Sequence, residues 1–176
     1  MICIISSTNR VPSVSIQVAT EYQKILKEKG EDSFILDLAQ LPQDFAFSAL
    51  YEFNGKNESF NSFIAPLLNN EVEHIVFIVP EYNGSFPGIL KTFVDALSYP
   101  NPLKGKTIAL TGVSSGPMGT ALGLSHFTDV LNYLGVFVNP KKVRIPGIEQ
   151  HFNPKDGFSS SFQKTIDHQL DELIKR

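Results

Sequence analysis

The sequence IVFIVPEYNGSFPG, residues 75–88, joins an unbroken apolar run to a turn-rich loop. A continuous run of mostly β-branched residues predicts a strand that is covered on both faces, as in a parallel sheet flanked by helices. Comparable runs lie at residues 2–5, 34–38 and 108–113, and a weaker one is divided between residues 136–138 and 143–145. The sequence therefore predicts five strands in one parallel sheet.

Segments with helical periodicity separate these runs. Each segment has apolar residues three and four positions apart, which places them on one face of a helix. The segments lie at residues 18–26, 60–68, 90–97, 127–134 and 162–174. Strand and helix thus alternate, which predicts an α/β fold built from right-handed crossovers. We expect one domain, residues 1–176, with a doubly wound five-stranded parallel sheet of flavodoxin-like order 2-1-3-4-5, in a three-layer α/β/α arrangement.

Composition and charge exclude several classes of function. The 176 residues carry a net charge of −3 without any run of Lys or Arg, so no surface for nucleic acid or anionic lipid is predicted. The single cysteine, Cys3, lies in the first apolar run and is expected to be buried, and no Cys/His cluster indicates a metal. No apolar run is long enough for a signal peptide or a membrane span. We therefore expect a cytoplasmic protein that acts on small molecules.

Hydroxyl groups crowd the loop after the first strand, SSTNRVPSVS at residues 6–15. The loop leads directly into the first helix, whose free amides and positive dipole end attract an anion. The motif GxGxxG is absent, so a dinucleotide site of that type is not predicted. Ser13 is placed to cap the helix in any case. The remaining hydroxyls and Arg10 predict a phosphate site in this loop.

Two further loops belong to the same edge of the predicted sheet. Ligands in doubly wound sheets bind at the carboxyl ends of the strands, beside the change in strand order. The loop after the third strand has turn-forming pairs that expose backbone amides and carbonyls, which suit the edge of a planar heterocycle. The loop after the fourth strand, residues 114–119, is small and flexible and leads into a helix, so it is placed to form the other wall of the site.

These loops resemble those of the NADPH-dependent FMN reductases, a family that includes quinone, azo-dye and chromate reductases. Pro80 to Asn83 with Pro87-Gly88 resembles the flavin-ring loop of the family, and Ser7, Arg10 and Ser13 resemble its phosphate loop. The resemblance implies bound FMN, whose phosphate would contact Ser7, Thr8, Arg10, Ser13 and Ser15. Its ring would contact Pro80, Glu81, Tyr82, Asn83 and Gly84 and also Ser114, Ser115 and Gly116. NADPH or NADH would be the reductant, and a small molecule would be the electron acceptor. The resemblance also implies a homodimer or homotetramer. The chain departs from the family pattern at Ser6 or Ser7 and at Gly119-Thr120, where the family usually has glycine.

The flavin carries the chemistry in such an enzyme, so the sequence identifies no catalytic residue. Two other functions remain open. A flavodoxin-like electron carrier would bind flavin without a nicotinamide site. A serine hydrolase would use Ser114, because residues 112–116 match G-x-S-x-G and Asp156 and His168 follow in the order of a triad.

An aromatic segment lies in a predicted connection between the second strand and the second helix. It contains Phe45, Phe47, Tyr51 and Phe53. A loop with several aromatic residues covers a ligand, forms a subunit interface or folds onto its own core. The sequence leaves these three possibilities open.

Overall fold

A parallel sheet forms the centre of the protein, whose computed structural model describes residues 1–48 and 57–175. The order of its strands is β2-β1-β3-β4-β5, with β6 also paired to β4. The strands are β1 (Ile2–Ser6), β2 (Ser33–Asp37), β3 (His74–Pro80), β4 (Thr107–Val113), β5 (Phe137–Val138) and β6 (Val143–Ile145). All of these pairings are parallel. The predicted flavodoxin-like order is therefore confirmed.

Helices cover both faces of the sheet, as the continuous apolar strands require. They are α1 (Val14–Glu28), α2 (Phe45–Phe47), α3 (Glu58–Ile64), α4 (Gly88–Asp95), α5 (Ala121–Tyr133), α6 (Ile148–His151) and α7 (Ser160–Ile174). A short antiparallel hairpin, β7 (Phe152–Asn153) with β8 (Gly157–Phe158), lies between α6 and α7. Within the described ranges, no helix combines the length and the apolarity needed to cross a membrane.

Two hydrophobic clusters lie on opposite faces of the sheet. Successive residues of a strand point to opposite faces, so Cys3 and Ile5 belong to the cluster with α3, α4 and α5. Ile2 and Ile4 belong to the cluster with α1 and α7. All four side chains are at most 1% exposed. The three-layer arrangement thus follows from strands that are apolar on both faces.

The fifth position of the sheet is divided between β5 and β6, as the divided apolar run at residues 136–138 and 143–145 predicts. Here β5 pairs with the first residues of β4, and β6 pairs with its last residues. Pro140 lies between them and has no N–H to donate to a ladder. The Asn139 amide donates to the Ile108 carbonyl at 2.8 Å, and its side chain caps a turn at the Lys141 amide. This interruption sends the chain after β6 toward the carboxyl edge of the sheet.

Two of the four residues of the aromatic segment, Phe45 and Phe47, lie in the described part of the chain. Phe45 is 1% exposed, and its ring centroid lies 4.9 Å from that of Phe60. Phe47 is 71% exposed. Tyr51 and Phe53 lie outside the described residues. Folding onto the domain's own core therefore accounts for Phe45.

Candidate functional site

A cleft of about 520 Å³ lies at the carboxyl ends of β1, β3 and β4. The chain passes from β1 to β2 on one side and then to β3 on the other, so the cleft is at the change in strand order. Its volume is within the range of small-molecule sites, about 300–1,000 Å³. The predicted residues that line it are Thr8, Arg10, Ser13, Ser15, Pro80, Glu81, Tyr82, Ser114, Ser115 and Gly116. Three loops far apart in sequence thus form one site.

The first loop supplies hydroxyls and a positive charge beside the start of α1. The Ser13 hydroxyl accepts a hydrogen bond from the Ile16 amide at 3.3 Å and so caps the helix. The other amides of the first turn have no acceptor within the helix, and that turn contains no acidic residue. The helix dipole therefore favours an anion at this end of the cleft, near the exposed Arg10.

Ser7 differs from the other predicted phosphate ligands because it does not line the cleft. Its side chain is fully buried, and its hydroxyl donates to the Ile5 carbonyl at 3.3 Å. The Ser7 amide donates to the Ile78 carbonyl at 3.1 Å. These bonds fix the first loop to the end of β3, which positions the residues that follow.

The loop after β3 reaches the first loop through a hydrogen bond of 2.6 Å between the Tyr82 and Thr8 hydroxyls. Beyond Tyr82 the chain makes a two-residue turn, closed by reciprocal backbone bonds between Tyr82 and Ser85. Asn83 and Gly84 form its tip with φ of 50° and 74°, values that Asn and Gly tolerate best. These two predicted contacts do not line the cleft. Asn83 and Gly84 instead form the tip of the turn that follows Tyr82.

Thr120 joins the ends of the other two strands. Its hydroxyl lies 3.1 Å from the Val79 carbonyl and 3.0 Å from the Val113 carbonyl. Its amide donates to the Glu81 carboxylate at 2.9 Å. Thr120 has a φ of 61°, which is costly for a β-branched residue, so the surrounding bonds hold it there. A glycine at this position would relieve the backbone but would lack the hydroxyl.

The loop after β4 gives its two serines different roles. The Ser114 hydroxyl donates to the Gly116 carbonyl at 2.8 Å and accepts from the Gly119 amide at 2.9 Å. The Ser115 hydroxyl is exposed and donates to the Glu149 carboxylate at 2.6 Å. Ser114 therefore braces its own loop, whereas Ser115 connects this loop to α6.

A serine hydrolase does not fit this geometry. In the part of the chain that the structure describes, no histidine bonds to the Ser114 hydroxyl. A nucleophile elbow needs a strained turn leading directly into a helix. Here α5 begins only at Ala121, and Ser114 is not among the described residues with positive φ. The predicted partner His168 is an exposed residue of α7.

Sequence reasoning missed several residues of the cleft. They are Pro12, Val14, Gln17, Val113, Ile148 and Glu149. The hydrogen bond from Ser115 lowers the pKa of the exposed Glu149 carboxyl. The strand order could have indicated Ile148 and Glu149. Because β6 is parallel to β4, the loop after β6 also begins at the carboxyl edge of the sheet. The prediction considered only the loops after strands one, three and four.

Fold and site together define a flavodoxin-like α/β protein with the N-terminus of a helix beside a cleft at the change in strand order. A solved structure of similar fold is that of a flavoenzyme NAD(P)H:acceptor oxidoreductase from Paracoccus denitrificans. Its TM-score is 0.78 at 22% identity, over 99% of this chain and 97% of that one. At this identity the similarity establishes the fold.

Two curated relatives are similar in sequence. An NAD(P)H-dependent FMN reductase of Pseudomonas aeruginosa is 32% identical over 105 residues, which cover 58% of this chain and 53% of that protein. The quinone reductase of Escherichia coli K12 is 29% identical over 170 residues, 93% of this chain and 86% of that protein. The chain thus spans about half the length of the first relative and most of the second.

The profile of the family "NADPH-dependent FMN reductase" matches residues 1–150. The chain therefore belongs to this family of oxidoreductases, which work with FMN and a nicotinamide nucleotide. The predicted resemblance to this family is thereby confirmed. The matched residues include every strand from β1 to β6 and all of the loops that form the cleft.

Proposed function

We propose that this protein binds FMN in the cleft and transfers electrons from NADPH or NADH to a small acceptor such as a quinone, an azo compound or free flavin. The observation that carries the proposal is the meeting of three loops, after β1, β3 and β4, in one cleft of about 520 Å³. It is supported by the family to which the chain belongs.

The residues of the cleft fit FMN from the phosphate to the ring. Neutral hydroxyls, free helix amides and Arg10 form a donor set for a phosphate monoester at the start of α1. The loops at Pro80 to Tyr82 and Ser114 to Gly116 offer backbone groups for a heterocycle edge. The side chain of Tyr82 is held by Thr8 and gives the cleft an aromatic wall.

Bound FMN supplies the hydride acceptance and the onward electron transfer. The chain supplies position and exclusion of water. The bond between the Tyr82 and Thr8 hydroxyls fixes the side chain of Tyr82 at the cleft. The bonds of Thr120 hold the ends of β3 and β4 together. No described residue is needed as a general acid or base.

A quinone is the acceptor that the comparisons support best. The curated relative that shares the largest part of its length with this chain, among those described above, is a quinone reductase. The nucleotide and the quinone would approach the same cleft, so we propose that the nucleotide leaves before the acceptor binds. This order predicts ping-pong kinetics.

Reconstitution with FMN and anaerobic reduction test the proposal. Protein freed of flavin is titrated with FMN, then mixed anaerobically with NADH or NADPH, and the flavin absorbance near 450 nm is followed in a stopped-flow instrument. We expect tight binding, bleaching by a nucleotide and recovery on adding a quinone. Failure to bind FMN would overturn the proposal. Binding without reduction by either nucleotide would instead support the electron carrier.

The same proposal includes a cytoplasmic homodimer or homotetramer. Three large exposed side chains support assembly: Tyr99 in the loop after α4 is 99% exposed, Tyr133 at the end of α5 is 90% exposed and Phe137 in β5 is 62% exposed. Light scattering on the eluate of a size-exclusion column measures the mass in solution. A monomer of 19.5 kDa at micromolar concentration would contradict this part of the proposal.

A further inference from the structure

A second cavity of about 230 Å³ adjoins the cleft beside the first turn of α1. Val14, Gln17, Ile148 and Glu149 line both cavities, so the two spaces are neighbours. The remaining lining residues of the smaller cavity are Phe152, Asn153 and Pro154. We call this smaller cavity, formed by α6 and the β7–β8 hairpin beside the start of α1, the side chamber.

The side chamber combines an apolar surface with amide groups. The ring of Phe152 packs against that of Phe158, and the two ring centroids lie 4.9 Å apart. Pro154 adds an exposed apolar surface, and Gln17 and Asn153 present side-chain amides. The Asn153 side chain is fixed because its Oδ1 accepts from the Lys155 amide at 2.9 Å. A flat apolar face beside amide donors and acceptors suits a purine base.

Glu149 stands where the two cavities meet. Its carboxylate is exposed and anchored by the Ser115 hydroxyl at 2.6 Å. An anchored carboxylate still has lone pairs for further donors, since it can accept about four hydrogen bonds. Among the described residues that line either cavity, Arg10 is the one cation, and it belongs to the site assigned to the flavin phosphate.

We propose that the side chamber binds the adenosine part of the nicotinamide nucleotide and that Glu149 makes the enzyme select NADH over NADPH. This inference rests on the proposed function. In dinucleotide sites an acidic residue accepts hydrogen bonds from the ribose 2′-hydroxyl of NADH, whereas a cation accommodates the 2′-phosphate of NADPH. Glu149 repels that phosphate, and the chamber provides no described cation to compensate.

Nucleotide preference of the FMN-loaded enzyme tests the selection. For the natural protein we expect kcat/KM to be about tenfold or more higher with NADH than with NADPH. The variant Glu149→Gln removes the charge and should reduce this ratio about fivefold or more, mainly by raising kcat/KM for NADPH. The matched control Glu28→Gln changes an exposed glutamate at the far end of α1 and should leave the ratio unchanged.

Binding of nucleotide fragments gives a readout apart from turnover. Calorimetric titration of the FMN-loaded protein with 5′-AMP and with 2′,5′-ADP should show weaker binding of the doubly phosphorylated fragment, and Glu149→Gln should narrow the difference. The variants Pro154→Ala and Asn153→Ala should each weaken the binding of 5′-AMP severalfold without affecting the affinity for FMN. Unchanged 5′-AMP affinity in both variants would refute the adenosine site.

Other outcomes overturn the selection while leaving the proposed function intact. Equal use of both nucleotides, or a ratio that Glu149→Gln does not change, removes the role of Glu149. A preference for NADPH that is lost in Lys155→Ala would show that the neighbouring lysine supplies the missing cation. A protein that binds FMN but reacts with neither nucleotide contradicts the proposed function itself.

Discussion

Arg10 is the one cation that lines the cleft in the described part of the chain, and its charge adds to that of the helix end. The neighbouring donors are neutral, so they bind a phosphate without discriminating strongly between its charge states. A guanidinium forms a charge-assisted bond that neutral donors cannot replace. At the residue scale, Arg10 is therefore expected to set the affinity for FMN.

The variant Arg10→Gln tests this expectation. Loss of a charge-assisted hydrogen bond costs about 1.5–3 kcal/mol, which weakens FMN binding by roughly tenfold to a hundredfold. Quenching of flavin fluorescence on binding measures the dissociation constant. The control Lys24→Gln removes an exposed cation of α1 outside the cleft and should have little effect. Equal affinity in Arg10→Gln and the natural protein would show that the helix end and hydroxyls suffice.

Thr120 allows a second prediction at the same scale. Thr120→Val keeps the shape but removes the single hydroxyl hydrogen that the Val79 and Val113 carbonyls share at the ends of β3 and β4. We expect the free energy of unfolding to fall by about 2 kcal/mol, measured by urea denaturation. Thr120→Ser keeps the hydroxyl and should lie within about 0.5 kcal/mol of the natural protein. A Val variant as stable as the Ser variant would contradict the role of the hydroxyl.

At the scale of elements, the site depends on the close approach of α5 to the turn after β3. Gly123 in the first turns of α5 faces the backbone of Ser85 and Phe86. A Cβ at Gly123 would lie 2.7 Å from the Ser85 carbonyl carbon and 2.8 Å from the Phe86 amide nitrogen. The absence of a side chain therefore lets the helix hold the turn that carries Tyr82.

In Gly123→Ala, helix propensity and packing change the free energy of unfolding in opposite directions. Alanine in a helix is favoured over glycine by about 1 kcal/mol, but forcing an atom into a packed contact costs about 1–3 kcal/mol. Because the contact is with backbone, we expect net destabilisation of about 1 kcal/mol and weaker FMN binding. Urea denaturation and flavin titration measure the two effects. The exposed Ser125→Ala on the same helix should be neutral or stabilising, and a more stable Gly123→Ala would refute the contact.

At the scale of the whole molecule, a buried polar network joins the two ends of the chain to the central sheet. The Tyr22 hydroxyl of α1 lies 2.8 Å from the Thr111 hydroxyl of β4 and donates to Gln169 of α7 at 3.1 Å. The Gln169 amide donates to the Leu110 and Lys141 carbonyls, both at 2.9 Å. The family match ends at residue 150, so α7 joins the matched core through this network and its apolar face.

Gln169→Leu keeps the size of the side chain but removes these bonds. Two carbonyls then lose a donor, so we expect the free energy of unfolding to fall by about 3 kcal/mol. Gln163→Leu changes a half-buried glutamine of the same helix whose amide bonds Asp167, and it should cost less than about 1 kcal/mol. Equal denaturation midpoints for the two variants would show that the network adds little. FMN affinity should change little in either, because neither residue lines the cleft.

The alternation of apolar runs and helical segments was enough to predict the sheet order and its three layers. Burial on both faces dictates continuous apolar strands, and the chain can only connect parallel strands through crossovers. The gap between the two parts of the last apolar run also predicted that the fifth position is divided. The bond of Asn139 to β4 that accompanies the division was not predictable, because it joins residues distant in the sequence.

The sequence by itself determined the fold, the family and the three loops that meet at the cleft, because local composition and strand order fix which loop ends are neighbours. Only the tertiary structure decided which side chains face the cleft. Ser7 turns into the protein, and Asn83 and Gly84 form the tip of a turn. Glu149 reaches the site from a part of the chain that no motif marks. The physical reason is that side-chain direction follows from hydrogen bonds and packing between distant segments, which a linear pattern does not record.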